Sequence, residues 1–298
     1  MKTRLKKSLS LVMLCSTLLF AGCGIQQEEV KEHAVAPKVT GNVDISILDV
    51  GKADCIVIQT ENYNMMIDTA EGDNGDEIRE FLEANNITKI DYLQITHYDK
   101  DHIGALRELL EYGLEIGHIY AFDNEATSDT YMDMMAALEE HGLSLDYVKD
   151  KKELTLDDLL IEIYPPLKDS YVSKDAEPGV EMENEFSLVT KVTHGDNRFL
   201  FTGDACNDRL KELSSQMNVD VDFLKVPHHG KGDNDTNSFV KKVDAEYAVI
   251  TCSNKKMPDD AVIKALENTG AKVYETRNGQ VDCSSDGKTI SVTQLPPK

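Results

Sequence analysis

The chain has 298 residues, 41% of them hydrophobic, enough to bury a substantial core in one large domain or two ordinary ones. Its 31 basic side chains stand against 54 acidic ones, a formal charge of −23, which argues against non-specific binding to nucleic acid or to an anionic membrane surface. A phosphate-bearing substrate stays open if metal cations neutralise the site locally, so the charge weighs more against a processive nuclease than against a hydrolase of small phosphoesters.

Residues 1–23 read as an export signal rather than part of the fold. Lys2, Arg4, Lys6 and Lys7 form a basic head, residues 9–20 are nearly all apolar, and Ala21-Gly22-Cys23 places small residues before a cut site. The apolar stretch is short for a membrane span. The ending Leu19-Phe20-Ala21-Gly22-Cys23 resembles a bacterial lipobox, with Phe20 where Leu is usual. That resemblance implies a lipidated Cys23 and a lipoprotein held on the outer face of the bacterial cytoplasmic membrane; the alternative is an ordinary secreted protein with Cys23 free. Residues 24–42, polar and carrying Pro37 and Gly41, suit a flexible tether. Beyond the signal, Cys55, Cys206, Cys252 and Cys283 are widely spaced with no CxxC pair, which favours small buried side chains over a zinc ribbon or a disulfide framework.

From Val43 to the C-terminus strands and helices interleave without a visible boundary, so residues 43–298 read as one α/β domain. Residues 43–50 alternate apolar and polar, as a half-buried strand does. Residues 55–59 and 63–67 read as two more strands, the second ending in Asp68-Thr69, and a helix follows over 76–85. An apolar strand over 90–95 leads to Thr96-His97-Tyr98-Asp99-Lys100-Asp101-His102. The middle then alternates helix 104–112, strand 117–122, helix 130–141, strand 143–148 and strand 159–164, the last broken by Pro165-Pro166. Residues 168–183 form a polar connection long enough to be a lid, a substrate wall or a disordered segment. A hairpin of strands 186–193 and 198–202 turns through Gly195-Asp196-Asn197 and runs into Gly203-Asp204. Helix 208–217 and strand 222–226 come next, and helix 236–243, strand 245–252, helix 259–269 and strand 272–276 follow as a second half-sheet, with a closing pair turning through Asn278-Gly279 and Asp286-Gly287.

Two histidines and two aspartates within six residues at a strand end make a poor core and a good metal site, since imidazole nitrogen and carboxylate oxygen suit Zn²⁺, Mn²⁺ or Fe. A solvated charged turn is the bland alternative. Asp68, Asp204 and His228-His229 also fall just after strands, and ligands on the loops of one sheet edge can converge although far apart in sequence. Taken alone, Asp204 could cap the next helix and His228-His229 could be loop residues. Gly203 would let backbone approach closely and leave Asp204 at the edge.

These residues carry a specific resemblance. His97-Tyr98-Asp99-Lys100-Asp101-His102 resembles the HxHxDH signature of the metallo-β-lactamase fold, with Asp99 at the second histidine. Together with Leu48-Asp49-Val50-Gly51-Lys52-Ala53-Asp54, Met66-Ile67-Asp68, Asn184-Glu185-Phe186-Ser187-Leu188-Val189, Phe201-Thr202-Gly203-Asp204 and Val226-Pro227-His228-His229-Gly230, it resembles the ComEC-like branch, which includes the hydrolase domain of a competence DNA-uptake protein and bacterial choline-phosphate esterases. The resemblance implies a four-layer αββα sandwich and a hydrolase with two divalent ions, Zn or Mn. It implies His97 and Asp99 on the first ion, Asp101 and His102 on the second, Asp204 bridging both, and His228 in preference to His229 completing a site. Asp101 and Asp204 would be the catalytic carboxylates, and Asp68 would stand behind the ligands to orient one of them. Asn254 is kept as a metal or substrate contact, but Met257 stands where such chains often carry a histidine. The implied substrate is a phosphodiester: a cell-envelope phosphoester, a nucleotide or DNA, the last not favoured by net charge. The rival reading, motivated by Met257, is a lipid-anchored binding or assembly protein with a degenerate metal site.

Overall fold

Alternation of side chains along short strands builds two facing sheets, each with one side on the other sheet and one side on helices. In the first sheet β1 (Val43–Ile47), β2 (Ile56–Gln59) and β3 (Asn64–Ile67) form an antiparallel meander. Parallel strands β4 (Lys89–Gln94), β5 (Glu115–Ala121) and β6 (Leu145–Tyr147) extend it. Their connections carry α1 (Gly75–Ala84), α2 (Lys100–Ile103), α3 (Leu106–Glu111) and α4 (Asp129–Glu140). The second sheet starts as antiparallel β7 (Lys152–Leu156), β8 (Leu159–Tyr164), β9 (Val189–His194) and β10 (Asn197–Phe201). It continues as parallel β11 (Phe223–Lys225), β12 (Tyr247–Ile250) and β13 (Lys272–Glu275), linked by α5 (Asn207–Gln216), α6 (Thr236–Val243) and α7 (Asp260–Glu267). The last hairpin, β14 (Val281–Ser285) and β15 (Ile290–Gln294), returns to the first sheet beside β1.

This computed structural model describes residues 38–124, 126–168, 183–232 and 235–297, all within the unit Val35–Lys298. The expected signal with Cys23, the tether up to residue 37, and residues 169–182 of the long connection lie outside the described residues. The end of the expected tether is tied down, because Thr40 Oγ1 and Gly41 N donate to Asp158 at 2.9 and 2.7 Å. Among the described residues no helix is long and apolar enough to cross a membrane.

Three apolar cores separate four layers. Ile45, Ile47, Ile56 and Met65 face Phe199, Phe201 and Phe223 between the sheets. Val57, Met66 and Leu93 on the other face of the first sheet meet Ile78, Leu106 and Leu138 of its helices. Leu200, Leu224 and Ile250 on the outer face of the second meet Leu210, Val240 and Leu266. The αββα sandwich is therefore as expected, and each buried Ile, Leu or Phe contributes about 1.5–3 kcal/mol. Three details differ from expectation. The helix expected over 104–112 is two, α2 from Lys100 to Ile103 and α3 from Leu106 to Glu111, so Asp101 and His102 lie in a helical turn of their own. Strand β7 went unread, although Lys152-Glu153-Leu154-Thr155-Leu156 alternates, because one hairpin turn at Asp157-Asp158 separates it from β8. The closing pair belongs to the first sheet, not the second, because Ile45 pairs with Cys283, a contact local pattern cannot reveal. All four cysteines of the described residues are buried, and none is in a disulfide with another described residue.

Candidate metal centre

The ligand-type residues gather where both sheets end. β3 stops at Ile67, and Asp68 follows with left-handed backbone at φ 60°. Its carboxylate accepts from Thr96 N, Thr96 Oγ1 and His102 Nδ1, each at 2.7 Å. β4 ends at Gln94, and the next residues carry His97 and Asp99; α2 then presents Asp101 and His102 one turn on. From the second sheet, Gly203 (φ +51°) brings its backbone against Thr96 and Asp204 follows; a Cβ on Gly203 would stand 2.8 Å from Thr96 Cβ. Asp204 N donates to Ser187 Oγ at 3.2 Å and Leu188 N to Thr96 O at 2.9 Å, so the 184–189 stretch stitches the two strand ends together. After β11, His228 and His229 both adopt left-handed backbone, φ 48° and 51°. Such conformations cost of order 1–3 kcal/mol each and persist where surrounding contacts impose them.

Three imidazoles are locked in one tautomer. His102 Nδ1–H donates to Asp68. Thr96 Oγ1 spends its proton on Asp68, so its oxygen accepts from His97 Nδ1–H at 3.1 Å. Thr251 Oγ1 spends its proton on Asp54 at 2.7 Å, and its oxygen and carbonyl accept from His229 Nδ1–H at 2.9 and 3.0 Å. Each ring therefore turns its Nε2 atom towards the carboxylates. His97 Nε2 lies 3.5 Å from Asp99, His102 Nε2 3.4 Å from Asp204 Oδ1, and His229 Nε2 3.1 Å from Asp204 Oδ2 and 3.6 Å from Asp101. All three Nε2 atoms and Asp204 Oδ1 are buried without a hydrogen bond of acceptable geometry. Ring nitrogens and a carboxylate oxygen that converge without a well-formed hydrogen bond are what a cation would satisfy. Two sets have ligand atoms all within 4.8 Å of one another, His97–His102–Asp204 and Asp101–His102–His229.

A third set, Asp54–Asp68–His102, lies deeper and already holds its own positive charge. Lys225 is fully buried and its ammonium ion-pairs with Asp54, donates to Gly203 O at 2.9 Å and lies 3.6 Å from Asp204 Oδ1. Burial pushes the Lys225 ammonium towards neutrality, but Asp54 and Asp204 outweigh it and raise its pKa above the ordinary value. Burial likewise raises the Asp204 carboxyl, and His229 and His102 overcome it, holding it well below the usual carboxylate range. For His229 burial wins and its pKa falls, whereas at His102 burial is outweighed by Asp204 and Asp68, which raise its pKa well above the ordinary value, so a cation binding there displaces a proton. At the mouth, Lys52 Nζ pairs with Asp101 Oδ2 at 2.7 Å, and the Asp99 side chain is 43% exposed.

His97, Asp99, Asp101, His102, Asp204 and the supporting Asp68 are thus brought together. Between the adjacent histidines the geometry favours His229, correcting the preference for His228: two successive left-handed residues turn His229 inward, while His228 Nε2 meets Asn184 Nδ2 at 3.2 Å and lies 4.0 Å from Asp204. Asn254 is not brought in; it sits on an exposed turn after β12, and Met257 is 56% exposed with its sulfur 3.9 Å from Arg277 Nη1. That turn still flanks the site, since Asp259 N donates to Gly230 O at 3.0 Å. Asp54, Lys225 and Thr251 were missed. The available signal was a lysine in the otherwise apolar run Phe223-Leu224-Lys225-Val226.

Fold and site together define a metallo-hydrolase architecture, and residues 48–253 match the Metallo-beta-lactamase superfamily, to which this chain belongs. The curated relatives include ComE operon protein 3 of Bacillus subtilis (strain 168), 23% identical over 319 residues covering 98% of this chain and 38% of that protein. Competence protein ComA of Neisseria gonorrhoeae is 23% identical over 270 residues, 88% of this chain and 34% of that protein. Within the superfamily the chain is ComEC-like, and it spans little more than a third of either relative's length (38% and 34%). Among solved structures, the metallo-β-lactamase fold protein YhfI from Bacillus subtilis shares the fold at TM-score 0.54 and 13% identity, over 85% of this chain and 100% of that one.

Proposed function

We propose that this protein is a phosphodiesterase with a binuclear metal centre. The observation that carries the reading is the convergence of three tautomer-locked, unpartnered Nε2 atoms on Asp204. His97 and Asp99 would hold one divalent ion and Asp101, His102 and His229 the other, with Asp204 available to both; Zn or Mn would suit this mixture of imidazole and carboxylate. When bound, the two ions supply Lewis acidity, lowering the pKa of a water towards ~7 and compensating charge that builds on a phosphoryl oxygen. The chain's own contribution is orientation. Asp68 and Thr96 aim His102 and His97, and Thr251 aims His229. Asp101 and Asp204 are the carboxylates nearest the reacting position, and Lys52 beside Asp101 adds a cation at the mouth. The carboxylate-rich ligand set favours phosphoesters, because a site that gathers two cations best matches a doubly anionic transition state.

The substrate is a cell-envelope phosphoester, a nucleotide or DNA. The charge of −23 favours the small substrates, whereas the competence proteins among its relatives favour a place near DNA uptake. Anchoring through a lipidated Cys23 to the outer face of the cytoplasmic membrane fits the lipobox-like segment. The test is a metal-supplemented screen of a chromogenic diester, nucleic acids and choline-phosphate esters. Asp204→Ala should abolish turnover, and unchanged turnover refutes the mechanism. The second reading, a lipid-anchored binding or assembly protein with a degenerate site, draws on the exposed Asn254 and Met257. About two equivalents of metal with hydrolysis support the enzyme; substoichiometric metal without hydrolysis supports the binder.

A further inference from the structure

The two halves of the ligand set stand on different sheets. His97, Asp99, Asp101 and His102 follow β4 of the first, whereas Asp204 and His229 follow β10 and β11 of the second. Between the ligands themselves the contacts across the gap are long, His102 Nε2 3.4 Å from Asp204 Oδ1 and His229 Nε2 3.6 Å from Asp101 Oδ2, and without metal the carboxylates on the two sides repel one another. Lys225, the last residue of β11, crosses it. Its ammonium pairs with Asp54, which lies between β1 and β2 of the first sheet, and holds the Gly203 carbonyl at 2.9 Å, one residue before Asp204. Asp54 in turn accepts from the Thr251 hydroxyl at 2.7 Å, and that leaves the Thr251 oxygen to accept from His229 Nδ1–H at 2.9 Å. One buried ion pair thus holds the turn that carries Asp204 and, through the Thr251 hydroxyl, one of the two acceptors that orient His229, the other being the Thr251 carbonyl at 3.0 Å. A fully buried lysine among Phe223 and Leu224 is expensive to desolvate, and an apolar residue would fill that place more cheaply if the strand needed only packing.

We propose that Lys225 and Asp54 are positioning residues, a tethered cation and its carboxylate that set the two halves of the metal site in register across the sheets before any metal arrives. The proposal rests on reading the site as a metal centre. It also accounts for the deeper Asp54–Asp68–His102 set: the ammonium and the His102 Nδ1–H already supply its positive partners, so it is a support and not a third metal position.

The test compares wild type, Lys225→Met, Asp54→Asn and Lys225→Met/Asp54→Leu by Zn²⁺ and Mn²⁺ affinity, using competition with a chromogenic chelator, and by melting of the metal-free protein. Each single variant strands a buried charge and should melt lower. The double variant removes both charges at constant net charge, so its metal-free melting should recover towards wild type while its long-range attraction for cations is unchanged. Its metal affinity should nonetheless remain about 10–100-fold weaker, the loss typical when groups that orient ligands are removed. Wild-type affinity in the double variant overturns the proposal, since the pair would then serve the fold alone; so does wild-type or tighter binding by Lys225→Met. Should both Lys225 variants fail to fold, the near-isosteric Asp54→Asn decides by the same affinity criterion. Wild-type protein that binds no stoichiometric metal instead refutes the metal-centre reading, and that measurement comes first.

Discussion

Replacing Gly203 by alanine tests the closest approach between the two sheets at the site. Two costs add. The backbone at φ +51° is left-handed, worth about 1 kcal/mol or more against an alanine. The new Cβ would stand 2.8 Å from Thr96 Cβ, well inside van der Waals contact, and such overpacking typically costs about 1–3 kcal/mol. The sum, roughly 2–4 kcal/mol, corresponds to a fall in Tm of about 5–15 °C for a domain of this size. Because Asp204 is the next residue and Thr96 orients His97, relief of the clash must shift one of them. A misplacement near 1 Å costs of order 100-fold in turnover. Gly113→Ala is the control: it is left-handed too, at φ +90°, but nothing lies within 4 Å of its Cβ position. It should lose only the backbone part, about 1 kcal/mol or 2–4 °C, with turnover intact. Thermal melts and diester hydrolysis of both variants decide. Equal losses in the two would show that the Thr96 contact carries no weight, and the argument for a tightly set Asp204 would fall with it.

Two further outcomes are expected. Asp68→Asn keeps the shape but replaces one acceptor oxygen with an amide that cannot accept from Thr96 or His102, so metal affinity should drop about 10–100-fold in chelator competition, and undiminished affinity would remove Asp68 from its orienting role. His194, away from the metal centre with Nδ1 2.8 Å from Ser285 Oγ, has its pKa lowered by burial, against which Asp158 pulls weakly. The unfolded chain therefore binds more protons here: this contribution to stability is fully present above an unfolded pKa near 6.5 and is lost as pH falls through it to the lower folded value. Melts between pH 7.5 and 5 should fall more steeply for wild type than for His194→Gln; parallel curves would refute that assignment.

The features legible in the sequence were those that local chemistry writes in a short stretch. His97 to His102 is one strand end and one helical turn, so composition alone marked it. Asp68 and Asp204 stood out because each ends an apolar run. The choice between His228 and His229 was not legible, since it depends on two successive left-handed residues rather than on side-chain type. Lys225 was hidden for a different reason: its partner Asp54 precedes it by most of the domain, and only the stacking of two sheets brings them together. The same nonlocality hid the place of β14, which pairs with the first strand of the fold. Asn254 showed the opposite failure, a residue in a suggestive stretch that the backbone leaves on the surface.

The pairing of β1 with β14 also dictates when folding can finish. Ile45 lies opposite Cys283, so one side of β1 stays open until the final hairpin is available. Until then the backbone donors and acceptors along Val43–Ile47 form an unprotected sheet edge, a template for pairing with other chains. Contacts so distant in sequence form late and slowly. A chain cut before Val281 would retain His97, His102, Asp204 and Lys225, yet carry its first strand as an adhesive edge. Loss of the C-terminal hairpin should therefore appear as aggregation rather than as the loss of any ligand.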